Sequence, residues 1–319
     1  MSELENKILG QYKNGNYQVF IWEDGTKLRY NKLDTMIPDT IESMDIKITN
    51  CCDRCCKWCH EKSTPDGQHA DILSPSFIDK LHPYTELAIG GGNILTHPDI
   101  DEFLHKCKEL KLIPNITVNQ KHFVENYDRI KKWADEKLVY GIGVSLEDVT
   151  NKKFTSLVKT IPNIVIHLIV GLVSIDALKT LSISADKPKV LFLGYKHFGR
   201  GIEYIENSIV TETKINMFTR NVKNNLQRMI DEKWFNVISF DNLALKQLEV
   251  EKLLSDKEWE EFYMGDDGID GEMTSATMYV DMVNRVYAKN SCAVERFPLK
   301  DTIEEMYNHL KGENTNGRE

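Results

Sequence analysis

The sequence predicts an α/β fold: a partial, TIM-like (β/α)6 barrel with an N-terminal hairpin and a small α+β C-terminal extension. Three observations predict it. Six short apolar runs recur at 45–49, 87–89, 116–118, 139–144, 164–169 and 190–193. The stretches between them, such as 99–110, 123–135 and 174–181, carry apolar residues at three- and four-residue spacing, the pattern of amphipathic helices. The chain has 319 residues, 41% hydrophobic and 28% charged, enough to bury a sizeable core. Strand, helix, strand in this rhythm gives a parallel sheet with right-handed crossovers, closed or partly closed into a barrel. Function then falls at the C-terminal ends of the strands.

The elements follow in order. Residues 17–22 are aromatic and β-branched, Glu23-Asp24-Gly25 supplies a turn and 26–30 returns, so 1–42 reads as a hairpin serving as lid or edge. Residues 43–205 form the core. After Ile215 the rhythm changes to a helical stretch ending at Glu232, a strand-like run at 235–240 and a helix at 245–254. A hairpin at 277–282 and 285–288 and a last helix at 300–311 complete an extension over 206–311, and 312–319 reads as a flexible tail.

The net charge of -9 and pI near 5.6 work against a nucleic-acid partner, which requires a concentrated basic face. No apolar run approaches the ~18 residues of a membrane span, and the polar start lacks a signal-peptide layout, so the expected location is the cytoplasm. Five of the seven cysteines, Cys51, Cys52, Cys55, Cys56 and Cys59, fall within nine positions. In a reducing compartment such clustering points to metal rather than disulfides.

One register of these thiols, Cys52, Cys56 and Cys59, has the spacing Cys-x3-Cys-x2-Cys, on a loop directly after the first core strand. Three thiolates on one tight loop can hold three irons of a cubane and leave the fourth open to a small chelating molecule. Three rivals stand beside this reading. A zinc site could recruit His60, although zinc ligands usually come as separated pairs. Cys56-Lys57-Trp58-Cys59-His60 matches a haem attachment string, which leaves Cys52 unexplained, and a redox dithiol needs only two of the thiols. Cys51 and Cys55 read as bystanders, Cys107 as a small buried hydrophobe.

On these residues the chain resembles the radical S-adenosylmethionine superfamily over about 43–200. Trp58, the aromatic before the last cysteine, matches the family position that lies against the adenine. Gly90-Gly91-Gly92-Asn93 is similar to the family's glycine-rich second-strand ending, whose carbonyls receive the ammonium of the methionine moiety; here Asn93 stands in place of the usual acid. Asn119 ends the third run and Ser145 the fourth, where the family reaches the ribose or carboxylate, though Ser145 could equally cap a helix over 148–157. Val170 lies in the fifth-strand element whose backbone flanks the adenine, with His167 replacing its first glycine; a lone histidine in an apolar strand is more often a satisfied core residue. Arg200, in the loop after the sixth strand, is offered to the methionine carboxylate and Lys196 to the substrate.

The resemblance implies a single 4Fe-4S cluster, S-adenosylmethionine as the second cofactor and an external electron donor of flavodoxin or ferredoxin type. It implies reductive cleavage to a 5′-deoxyadenosyl radical that abstracts hydrogen from a peptide or small molecule, with a nucleotide or tRNA as alternative substrate. The alternative of another class is a non-catalytic zinc or redox-sensing protein. On the substrate side, Ser239-Phe240-Asp241-Asn242 and the loop bearing Asp266 and Asp267 are candidates, the latter also an ordinary turn. Cys292 is a candidate hydrogen-atom donor, weighed against an inert thiol.

Overall fold

The computed structural model describes residues 7–32, 36–262 and 276–312. Asp266, Asp267 and most of the tail expected at 312–319 lie outside the described residues.

Two sheets organise them. Strands β1 (Ile8–Asn14), β2 (Tyr17–Trp22) and β3 (Lys27–Tyr30) form an antiparallel meander, so the expected hairpin gains a third strand on its leading side. The large sheet contains β4 (Ser43–Thr49), β5 (Glu86–Gly91), β6 (Ile113–Asn119), β7 (Gly141–Ser145), β8 (Ile164–Ile169), β9 (Lys189–Leu193) and β10 (Val237–Phe240), all parallel in sequence order. On the other flank of β4, β11 (Thr277–Asp281) adds in parallel, followed by antiparallel β12 (Val286–Ala288) and β13 (Phe297–Pro298). All six expected core runs are strands. The run at 235–240 joins them as a further parallel strand, and the expected hairpin at 277–288 enters the same sheet.

This sheet is open, with β10 and β13 at its edges. A barrel, closed or partly closed, was expected, but β12 folds back antiparallel on β11 and that flank ends in a hairpin.

Period-two alternation divides each strand between two faces. Met44, Ile46, Ile48, Leu87, Ile89, Ile116, Val118, Ile142, Val144, Ile166, Leu168, Val190 and Phe192 are buried on one face, with the helices packed against them. Ile100–Glu109, Tyr127–Asp135, Ile175–Ser184 and Ile209–Asp231 supply Phe103, Leu104, Ile130, Trp133, Leu178, Leu181, Val222 and Leu226 to this core. The residues between them line the other face and pair across the strands: Lys47 with Gly90, Thr117 with Gly143, Asn119 with Ser145, Ser145 with His167, His167 with Leu191.

The small sheet packs at the N-terminal ends of the large one. Tyr12, Tyr17, Val19 and Ile21 bury with Ile113, and the buried Glu42 takes Arg29 Nη2 at 2.7 Å and Tyr17 Oη. Arg29 holds Glu42 below the usual carboxylate range although burial opposes it. This module therefore lies at the opposite end from the cysteine loop. No helix of the described residues is long and apolar enough to cross a membrane.

Candidate functional site

The cysteine loop leaves β4 and doubles back on itself. Asn50 N donates to Gln68 O at 2.8 Å, Thr64 N to Asn50 O at 3.0 Å and Cys52 N to Thr64 O at 2.8 Å, while Cys59 N closes a turn onto Cys56 O at 3.1 Å. The glycine-rich end of β5 seats beneath it. Gly92 N reaches Thr49 O at 2.7 Å and Asn93 N reaches Cys51 O at 2.6 Å. A Cβ on Gly91 would meet Thr49 O at 2.4 Å and one on Gly92 would meet Cys51 O at 2.3 Å, and Gly91 also has φ +117°. These two glycines therefore serve the close approach of two backbones. A Cβ on Gly90 would meet nothing within 4 Å, so this one leaves open space.

Two arginines tie the loop down. Arg54, between Cys52 and Cys55, grips Glu147 just beyond β7 with Nη2 at 2.8 Å from both carboxylate oxygens. Arg200 donates from Nε to Cys56 O and from Nη2 to Ser63 O, both at 2.9 Å, and its backbone N donates to Cys59 O at 3.0 Å. Its guanidinium thus clamps loop carbonyls.

All seven cysteines are free. Cys52, Cys56 and Cys59 are half-buried, Cys55 is exposed, and Cys51 Sγ donates to Pro65 O at 3.3 Å. Burial pushes the Cys56 thiol up to about 11, with Glu147, Cys59 and Cys52 acting in the same direction; burial also raises Cys52. Among the described residues no three His, Cys, Asp or Glu side chains converge as a metal group. The fit to an iron-sulfur cluster rests on the donor set: three free, half-buried thiols at Cys-x3-Cys-x2-Cys spacing on one pinned loop. Binding metal there must displace their protons.

The other expected residues fall as follows. The Trp58 ring packs edge-on to Tyr204 at 6.0 Å. Asn93 is buried and accepts from Leu95 N, capping the turn Ile94–Thr96. Asn119 caps Gln120–Glu125 by accepting from Lys121 N at 2.8 Å. Ser145 ends β7 on the open face, and the helix it was expected to cap begins later, at Lys152, under Asn151. Val170 is buried with its N donating to Leu193 O at 2.8 Å, so its contribution is backbone. Asp241 is used locally, accepting from Gly194 N and Ala244 N. His167 departs from the satisfied core histidine: it faces the open side, lies over Gly143, and its buried Nδ1 has no partner. Burial lowers its pKa to about 4.

Sequence reasoning missed the polar cluster just beyond the loop. Lys47 Nζ lies 2.6 Å from Glu61 Oε2 and 3.0 Å from Asp281 Oδ2, all three largely buried. Tyr279 Oη donates to Glu61 Oε1 at 3.3 Å, Asn284 donates twice to Asp281, and the His60 ring lies 3.3 Å from Glu61. Glu61 is held well below the carboxylate range by His60 and Lys47, against the opposing effect of burial. β11 thereby locks to the loop through contacts spanning more than two hundred residues, for which local sequence holds no signal. Gln120 was also missed; its Oε1 accepts from Glu147 N at 2.7 Å and Asp148 N at 2.8 Å, fixing the turn that presents Glu147.

No protein-family model matches this chain, and no curated protein does. Among solved structures it is similar to SuiB from Streptococcus suis. The SuiB crystal structure bound to precursor peptide SuiA gives a TM-score of 0.58 at 17% identity, covering 86% of this chain and 67% of that one. The structure bound to S-adenosylmethionine gives 0.55 at 17% identity, covering 86% and 68%. A third SuiB structure gives 0.59 at 14% identity, covering 96% and 88%. The likeness establishes a shared α/β fold.

Proposed function

We propose that this chain is a radical S-adenosylmethionine enzyme acting on a peptide, with Cys52, Cys56 and Cys59 holding a single 4Fe-4S cluster. The observation that carries the reading is the Cys-x3-Cys-x2-Cys loop at the C-terminal end of β4, seated on the glycine-rich end of β5. Support comes also from the fold shared with a protein crystallised with S-adenosylmethionine and with a precursor peptide. A cluster held by Cys52, Cys56 and Cys59 would supply the electron for reductive radical chemistry on S-adenosylmethionine.

The chain's own residues do the holding. Arg54 and Arg200 anchor the loop that carries the three thiols. Gly90 leaves space beside the β5 carbonyls for an ammonium, Ser145 offers a hydroxyl on the open face, and Trp58 offers an apolar ring for a nucleobase. Cys292, whose N donates to Asn290 Oδ1 at 2.8 Å, lies in the segment that meets Lys196 and is the candidate hydrogen-atom donor.

The test compares cysteines. Cys56→Ala is expected to abolish release of 5′-deoxyadenosine under anaerobic reduction while circular dichroism stays native, and Cys51→Ala to retain most of it. Retained cleavage in Cys56→Ala, or equal loss in both, would refute the assignment.

A further inference from the structure

The polar cluster beside the cysteine loop contains three cations, Lys47, Lys196 and Arg296, against two carboxylates, Glu61 and Asp281. Lys47 sits between both carboxylates and neutralises one of their two charges. Arg296 is more weakly engaged: its Nη1 stands 3.8 Å from Asp281 Oδ2, and its guanidinium lies over the Tyr279 ring at 5.1 Å. The half-buried Lys196 has no carboxylate within ion-pair distance among the described residues; its Nζ donates to Ser291 Oγ at 2.9 Å and lies 3.4 Å from His60 Nε2. Arg296 donates to the same residue, from Nη2 to Ser291 O at 3.1 Å.

Two cations thus converge on Ser291. Like charges brought together in partly buried surroundings repel, and an anion shared between them removes the penalty. An ammonium with a donor to spare beside a planar guanidinium suits a carboxylate. The position is relevant to chemistry, because Ser291 directly precedes Cys292 and Lys196 lies in the loop that packs on the cysteine loop through Gly199 and Arg200.

We propose that Lys196 and Arg296, meeting at Ser291, form an anion site that holds a carboxylate of the peptide substrate next to Cys292. The selected substrate is then an acidic peptide. This rests on the reading of the chain as a peptide-modifying enzyme, and it adds the substrate class to that reading.

The test uses the reconstituted holoprotein and two blocked pentapeptides, Gly-Glu-Gly-Glu-Gly and Gly-Gln-Gly-Gln-Gly, with binding measured by fluorescence anisotropy. The wild type should prefer the acidic peptide by about tenfold, and Lys196→Gln with Arg296→Gln should reduce the preference below about twofold. Lys196→Glu should reverse it, favouring a lysine-containing peptide, which separates a charge effect from loss of folding. Equal binding of both peptides by the wild type, binding of neither, or a preference that survives the double variant overturns the proposal. S-adenosylhomocysteine binding is measured in parallel. If the wild type does not bind it, the enzyme reading itself fails and the substrate assignment falls with it. If the variants lose that ligand while keeping the peptide preference, the anion belongs to the cofactor and the proposal is overturned alone.

Discussion

His167 is the residue whose chemistry departs furthest from its setting. Sequence places it in an apolar strand, where a satisfied histidine is the ordinary expectation. The pairing with Ser145 and Leu191 puts it on the open face instead, and Gly143 gives its ring a place to lie. Its Nδ1 is buried and unpartnered, and burial depresses its pKa from 6.5 to about 4. A histidine pKa depressed by folding contributes stability that is fully present above the unfolded value near 6.5 and lost as pH falls through about 4. His167→Phe should therefore flatten the pH dependence of unfolding across that window, removing up to about 3 kcal/mol of acid sensitivity. Urea titrations at several pH values check this; an unchanged acid limb would mean that the ring is protonated in the folded state. The preference of Val, Ile and Leu for strands was legible at this position, but the glycine that gives the ring its place, Gly143, lies on a neighbouring strand.

Among the elements, the β5 ending shows how one motif divides into two functions. Gly91 and Gly92 allow the cysteine loop to descend onto the strand, whereas Gly90 opens space. Gly92→Ala forces a Cβ against Cys51 O and should cost about 2 kcal/mol, with iron content falling because the loop shifts. Gly90→Ala should leave the melting temperature unchanged and weaken binding of S-adenosylhomocysteine. Melting curves and iron assays on the two variants decide it; equal destabilisation would remove the distinction. The glycine run and the cysteine spacing were both legible in sequence, since each is contiguous. The clamps were not: Arg54 finds Glu147 and Arg200 finds Cys56 O only once β7 and β9 have brought them to the same end of the sheet.

For the whole molecule, the six core strands and their crossover helices were readable because alternation of apolar and polar residues is local. Sheet closure was not readable. It depends on whether the two edge strands pair with each other, and here β10 and β13 stay apart at opposite edges, with β11 added beside β4 and β12 and β13 ending that flank. The consequence is functional: β11 delivers Asp281 and Tyr279 to Lys47 and Glu61, so the C-terminal part of the chain and the cysteine loop are bound by one buried ionic group. Removing one member of such a group leaves a buried charge uncompensated. Loop, glycine turn and ionic cluster all gather at the C-terminal end of the parallel strands, opposite the small N-terminal sheet.

The central claim is the identity of the metal on that loop. The direct measurement is the iron, acid-labile sulfide and zinc content of anaerobically reconstituted protein. The account predicts about four irons and four sulfides per chain, lost in Cys52→Ala, Cys56→Ala and Cys59→Ala. A colourless protein with one zinc, or a full cluster that persists without Cys56, would contradict it.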